Sequence, residues 1–374
     1  MTPSPRGPRP RQVSATLPVF PWDTLADAQK IARAHPDGIV DLSVGTPVDP
    51  VAPVIRAALN DASAEPGYPW TAGTPALRAA AVGALHRRYG VTGLAEHAVL
   101  PVIGSKELIA WLPTLLGLGG DDVVVVPELA YPTYEVGARL AGASVLAADS
   151  LTQIGPQTPA VVYLNSPANP TGRVLGVGHL RKVLGWARER GALVVSDECY
   201  LGLGWDAEPY SVLHPDVCDG DHTGVLAVHS LSKTSSMAGY RAAFVAGDPA
   251  VVAELLAVRK HAGMMVPGPI QAAMVAALDD DEHEAVQRER YRCRRELLLG
   301  AFRAVGFTVE HSEAGLYLWV TRGEPCRQTV DSLARQGILV APGEFYGPAG
   351  ARHVRVALTA TDERVKTAVT RLSA

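Results

Sequence analysis

The sequence predicts an α/β fold, a mostly parallel seven-stranded sheet flanked by helices, with a smaller α+β domain after it. From residue 98 onward, seven short apolar runs of β type occur, at Val99–Ile103, Val123–Val126, Ser144–Ala147, Ala160–Leu164, Ala192–Val195, Val225–Val228 and Ala243–Ala246. Helical stretches separate most of them, for example Leu108–Leu116, Tyr134–Leu140 and Leu180–Arg190. The runs are continuous rather than alternating, which means burial on both faces and helices outside. Beyond about residue 275 the texture changes. An acidic run, Asp279–Glu284, precedes a long charged helix, Glu284–Val305, and strand-like segments at Phe307–Glu310, Leu316–Val320, Ile338–Val340 and His353–Ala357.

The elements before the sheet are punctuated by caps and turns. Met1–Arg11 is rich in Pro and Arg with no apolar core behind it, so it is not a secretory signal, and residues 1–15 read as a disordered tail. Residues 16–44 read as an arm and part of the small domain. Within them, Phe20-Pro-Trp-Asp-Thr-Leu25 opens a helix with Asp23 or Thr24 as N-cap, and Ile39–Ser43 reads as a strand. Val44–Pro50 is a turn with Gly45 at its head, Val54–Ala62 a helix, and Thr74 caps the next helix with Pro75 at its first position. The large domain is expected over 45–275 and the small one over 276–374. The acidic run reads as a solvated helix N-terminus, which the macrodipole favours, rather than a metal site.

Composition narrows the class. A chain of 374 residues suffices for two domains, and 47% hydrophobic with 19% charged residues is ordinary for a globular enzyme. The formal charge of −4 gives no reason to expect a nucleic-acid partner. Four scattered cysteines without a CxxC indicate neither a disulfide framework nor a zinc site and fit a reducing cytoplasm. Leu108–Leu118, the most apolar run, is too short to cross a bilayer and contains Pro113, so no membrane segment is expected.

Chemistry is expected at the carboxyl ends of the strands. After Val225–Val228 comes Ser230-Leu-Ser-Lys233, running on to Arg241. A lysine ending a buried strand has its pKa depressed and its amine freed for attack on a carbonyl. Hydroxyls with a guanidinium suit a phosphate dianion. Amine and phosphate cradle together point to pyridoxal phosphate held as a Schiff base. Gly104-Ser105-Lys106 opens a helix directly after a strand, a second place for a phosphate. Tyr131 stands at a strand edge where an aromatic can stack on a planar ring. The turn Asn165-Ser-Pro-Ala-Asn169-Pro-Thr-Gly172 holds the Asn169 amide rigidly. Asp197 ends a buried strand and needs a cationic partner, which a protonated pyridine nitrogen supplies; Tyr200 lies three residues on. A helix-cap role for Asp197 also stays open, but it leaves Tyr200 unexplained. Arg355 alternates with apolar residues in a late strand, suited to bidentate capture of a carboxylate, with Arg352 as the surface member of the pair. Gly117–Gly120 precedes a strand rather than following one, so a dinucleotide fingerprint fails on context.

These pieces resemble the fold-type I pyridoxal-phosphate aminotransferases of classes I and II, in family order and over nearly the whole chain. The resemblance implies that Lys233 carries the cofactor and moves the proton, that Asp197 pairs the pyridine nitrogen, and that Asn169 and Tyr200 bind the ring phenolate. It places Tyr131 on one ring face and Cys199 on the other. Ser105, Lys106, Ser230, Ser232 and Arg241 would hold the phosphate; Arg355, with Gly45 and Asn169 nearby, the substrate carboxylate. Tyr68 would reach the phosphate of a neighbouring subunit, implying a homodimer. Phe20–Leu25, Asp41–Pro50 and Pro101–Trp111 resemble the actinobacterial-type N-succinyldiaminopimelate aminotransferases of lysine biosynthesis. The implied reaction moves an amino group between glutamate and N-succinyl-2-amino-6-oxopimelate. Prephenate or aspartate aminotransferases, and a β-lyase on the same fold, are the alternatives. Ala262–Gly268 has no arginine, which lowers the aspartate reading. Arg259 and Lys260 read as solvated helix residues.

Overall fold

The computed structural model describes residues 13–373; the expected tail before Val13 lies outside them, and Val13–Thr16 forms a 3₁₀ turn. Strand β1 (Val40–Asp41) is followed by β2 (Val99–Ile103), β3 (Val123–Val126), β4 (Ser144–Ala147), β5 (Val161–Asn165), β6 (Leu193–Asp197), β7 (Val225–Ser230) and β8 (Ala242–Gly247). Strands β2 to β8 form one sheet in the order β2-β8-β7-β6-β5-β3-β4. Of these, only β8 runs antiparallel to its neighbours, β2 and β7.

The continuous apolar runs have the expected physical result. Val124, Val126, Tyr163 and Val195 face one helical layer, and Val125, Val162, Leu164 and Val194 face the other. Successive side chains point to opposite faces, so both faces can be dry only if neither alternates with polar residues. Each fully buried valine stabilises by about 1.5–3 kcal/mol. The sheet is thereby a rigid frame for whatever its strand ends carry.

The C-terminal part builds a separate antiparallel sheet from β9 (Thr308–Glu310), β10 (Tyr317–Thr321), β12 (Ala341–Pro342) and β13 (Val354–Ala357), in the order β12-β13-β10-β9. β11 (Ile338–Leu339) pairs in parallel with β1, which ties the segment before Gly45 to this part of the chain. A third core, including Leu42, Leu318, Val320 and Val356, lies beneath it.

Several expected elements are displaced. β5, β6 and β7 begin or end later than their apolar runs and extend onto Asn165, Asp197 and Ser230, because ladder bonds continue past the last apolar residue. Neither Asp23 nor Thr24 caps the first helix: Pro21–Leu25 is 3₁₀, and Ala26–Arg33 follows without a side-chain cap. Thr74 does cap Pro75–Tyr89, its side chain accepting from the Leu77 N–H at 3.1 Å. The long helix is Asp281–Ala304 with Asp280 as cap, so the acidic residues form its first turn. That turn is not wholly solvated, since Glu284 is buried and 2.5 Å from Arg88. Arg259 is also not a solvated residue; it is buried and pairs with Glu107 at 2.9 Å.

Candidate active site

The carboxyl ends of β6 and β7 and the turn after β5 open into a cavity of about 730 Å³, lined also by Phe20, Trp22 and Tyr317. It gathers Gly45, Ser105, Lys106, Tyr131, Asn169, Asp197, Cys199, Tyr200, Ser230, Ser232, Lys233, Arg241 and Arg355. Tyr68 is not brought there. It stands 95% exposed in a separate groove with Trp70.

Lys233 sits in a single helical turn, Leu231–Thr234, that follows β7 at once; the Ser230 hydroxyl caps it by accepting the Ser232 N–H at 3.2 Å. The lysine amine donates to the Gly45 carbonyl, and Tyr291 Oη donates to the Lys233 carbonyl at 3.2 Å. Burial pulls its pKa below the ordinary lysine value, and the Arg355 and Arg241 cations add to this. Gly45 itself has no room for a side chain: a Cβ there would lie 2.1 Å from Tyr317 Oη.

Asp197 ends β6 and is buried, its edge on the cavity. Its carboxylate accepts from Tyr134 Oη at 2.8 Å and from the Cys199 N–H at 3.2 Å, both neutral donors. Burial holds its pKa above the usual carboxylate value despite these bonds. The Asn165 side chain braces this corner, donating to the Asp197 carbonyl at 2.9 Å and accepting the Asn169 N–H at 2.7 Å. Arg355 takes the Asn169 amide oxygen at 2.9 Å, which leaves the Asn169 NH₂ as the donor for the cavity.

Arg355 is buried in β13, its second amino group donating to the Ser43 carbonyl at 2.7 Å and its Nε without a partner among the described residues. Its guanidinium carbon lies 3.9 Å from the Tyr317 ring centroid. Arg352, in contrast, donates to the Gly323 carbonyl at an exposed site. Tyr200 and Tyr317 share a hydrogen bond of 3.1 Å. Burial drives the Tyr200 hydroxyl pKa up, whereas Arg355 and Lys233 pull that of Tyr317 below the ordinary value against its own burial. Burial pushes Tyr131 up to about 12.

The anion cradle lies where the helix Ser105–Leu115 begins. Gly104 has φ +83°, and a Cβ there would stand 2.1 Å from Arg241 Nη2. The glycine lets the guanidinium close on the helix N-terminus, where free N–H groups and the dipole favour an anion. Lys106 lies on the same side; burial, then Arg241, lowers its pKa. Gly104→Ala should therefore displace Arg241 and raise the Kd for pyridoxal phosphate by about tenfold or more. Fluorescence titration of the cofactor-free protein measures this, and an unchanged Kd would remove Arg241 from the cradle.

The local sequence does not single out Tyr317, Tyr134, Asn165, Phe20 or Trp22 as site residues. Tyr134 was legible in principle, one helical turn after Tyr131; Tyr317 carried no signal beyond lying in an apolar strand.

This donor set fits pyridoxal phosphate: a desolvated lysine amine, a buried carboxylate bonded only by neutral donors, an amide and a phenol at the other edge, and a cationic helix N-terminus. When bound, the cofactor supplies a carbonyl for the amine and a ring that withdraws electrons. Lys233 would hold it and move the proton, Asp197 would keep its ring nitrogen charged, and Arg241 with Ser105 would take its phosphate.

The chain is 77% identical over 361 residues to the probable aminotransferase Rv1178 of Mycobacterium tuberculosis, covering 96% of this chain and 86% of that protein. It is 58% identical over 357 residues to the 4-dedimethylamino-4-oxo-anhydrotetracycline transaminase OxyQ of Streptomyces rimosus, covering 96% and 99%. The solved structure of a probable N-succinyldiaminopimelate aminotransferase from Thermus thermophilus superposes with a TM-score of 0.85 at 29% identity, covering 94% of this chain and 99% of that one. Aminotransferase class I and II matches residues 37–372. The chain belongs to that family, and is a pyridoxal-phosphate-dependent aminotransferase of fold type I.

Proposed function

We propose that this aminotransferase moves an amino group between glutamate and N-succinyl-2-amino-6-oxopimelate in lysine biosynthesis. The carrying observation is the cation pattern of the cavity. Arg355 offers one buried fork for an α-carboxylate. Lys106 lines the same cavity, its ammonium 5.5 Å from the Phe20 ring centroid. A second cation in the cavity besides Arg355 suits an acceptor with a second anionic group. The likeness to the Thermus protein supports the same acceptor. A bulky polycyclic ketone is the second reading, favoured by the aromatic wall of Phe20 and Trp22 and by the likeness to OxyQ.

In this reading Asn169 and Tyr200 bind the ring phenolate, Tyr131 and Cys199 lie on its two faces, and Ser230 and Ser232 add to the phosphate cradle. It also includes division at residue 275 into a large and a small domain, and a homodimer in which Tyr68 reaches the partner's phosphate cradle. Exposure of Tyr68 and Trp70 on one edge, 95% and 62%, supports such a pairing. Four free cysteines suit a cytoplasmic enzyme. Among the described residues no helix is long and apolar enough to cross a membrane.

The test is a half-reaction. Glutamate should discharge the visible band of the bound cofactor, and N-succinyl-2-amino-6-oxopimelate should restore it faster than prephenate, oxaloacetate or a polycyclic ketone. Restoration fastest with another acceptor overturns the specific reading. Arg355→Lys should lower kcat/KM for glutamate by about 100-fold, mostly through KM, because a point charge replaces a fork. An unchanged KM would place the carboxylate site elsewhere.

A further inference from the structure

Outside the cofactor cavity, three side chains form a hydrogen-bonded row. Asp280 Oδ2 lies 3.0 Å from His283 Nδ1, and His283 Nε2 lies 2.9 Å from Ser235 Oγ. Asp280 is the cap and His283 the first turn of the helix Asp281–Ala304, whereas Ser235 follows the turn that carries Lys233. The row lines a second cavity, of about 450 Å³, which shares no lining residue with the first. Ser236, left-handed (φ 55°), lines the same cavity beside Ser235, and its buried hydroxyl has no hydrogen-bond partner among the described residues.

Carboxylate on Nδ1 and serine on Nε2 is the polarity that nucleophilic acyl transfer requires. The carboxylate fixes the tautomer with its proton on Nδ1 and leaves Nε2 to accept the serine proton. A network built only to tie two segments together needs neither a cavity beside it nor an idle hydroxyl. We propose that Ser235 is a nucleophile toward short-chain acyl esters, with His283 as base, Asp280 as its positioning carboxylate and the Ser236 hydroxyl as donor to the developing oxyanion. The apolar side chains of Val51, Val54 and Val286 line the cavity and suit a short aliphatic acyl group.

The steps balance without an added oxidant or reductant. Ser235 Oγ bonds the acyl carbon as its proton passes to His283 Nε2; the ester C–O bond breaks and the alcohol leaves with that proton. Water then attacks the acyl-serine, giving its proton to His283, and the carboxylic acid leaves as Ser235 regains its proton.

The test uses the full-length, cofactor-loaded protein. A fluorophosphonate should leave a single adduct that mass spectrometry maps to Ser235. Hydrolysis of p-nitrophenyl acetate should lose about 100-fold in kcat/KM in Ser235→Ala and in His283→Gln. Adduct mapping on the unmutated protein stays decisive if a variant fails to fold. Absence of an adduct on Ser235, or ester hydrolysis that persists in a folded Ser235→Ala, overturns the proposal. The glutamate half-reaction, measured on the same sample, reports the aminotransferase site independently.

Discussion

Lys233→Ala should lower the single-turnover rate with glutamate by about 10⁴-fold or more, the largest loss any one substitution in this chain should cause. On the role proposed for Lys233, two contributions should vanish together: covalent retention of the cofactor and a proton carrier at the reacting carbon. The surroundings of Lys233 suit both. Its amine is desolvated, so its proton is less tightly held, and it points at the Gly45 carbonyl instead of at an acid. Pairing with a carboxylate would raise its pKa and idle it. Borohydride treatment followed by mass spectrometry should find cofactor fixed to the native chain and none on the variant. A residual rate within about tenfold of the native protein would assign the proton to another group.

Asp197→Asn should lower the same rate by about 10³-fold while cofactor still binds, because an amide cannot keep a ring nitrogen charged. The carboxylate has a signature in stability as well. Burial raises its pKa in the cofactor-free fold. The associated stability is therefore present below the ordinary carboxylate value and is lost as pH rises through the raised one. A cation brought against the carboxylate cancels that loss. Pyridoxal phosphate should then raise the Tm of the native protein more at neutral pH than near about pH 4, and Asp197→Asn should abolish the difference. Equal increments at both pH values in the native protein would mean that no charge pairs with Asp197.

Both residues were legible in the sequence for the same reason. A lysine or aspartate at the end of a continuous apolar run is costly unless it has a task; Asp197 ends β6, and Lys233 stands in the helical turn directly after β7. Arg355 was legible through its alternation with valines in β13. What surrounds these groups was not. The hydrogen bond from Tyr134 to Asp197 spans 63 positions, and that between Tyr200 and Tyr317 spans 117. Nothing local to Tyr317 separates it from any aromatic in a buried strand. Glu284 and Arg259 read as solvated from sequence because helical charge reads as surface until a partner such as Arg88 or Glu107 is brought to it.

The seven strands of the main sheet and its mostly parallel class were thus written in the order of amino acids alone. They follow from local periodicity and from the cost of burying polar groups. Which distant side chains meet those residues was set by the folded chain. Gly45, Asn169, Lys233 and Arg355 converge because β1 is drawn to β11 and β13 stands over the carboxyl ends of the main sheet. Such convergence depends on packing between segments far apart in the chain, and no window of sequence contains both sides of the contact.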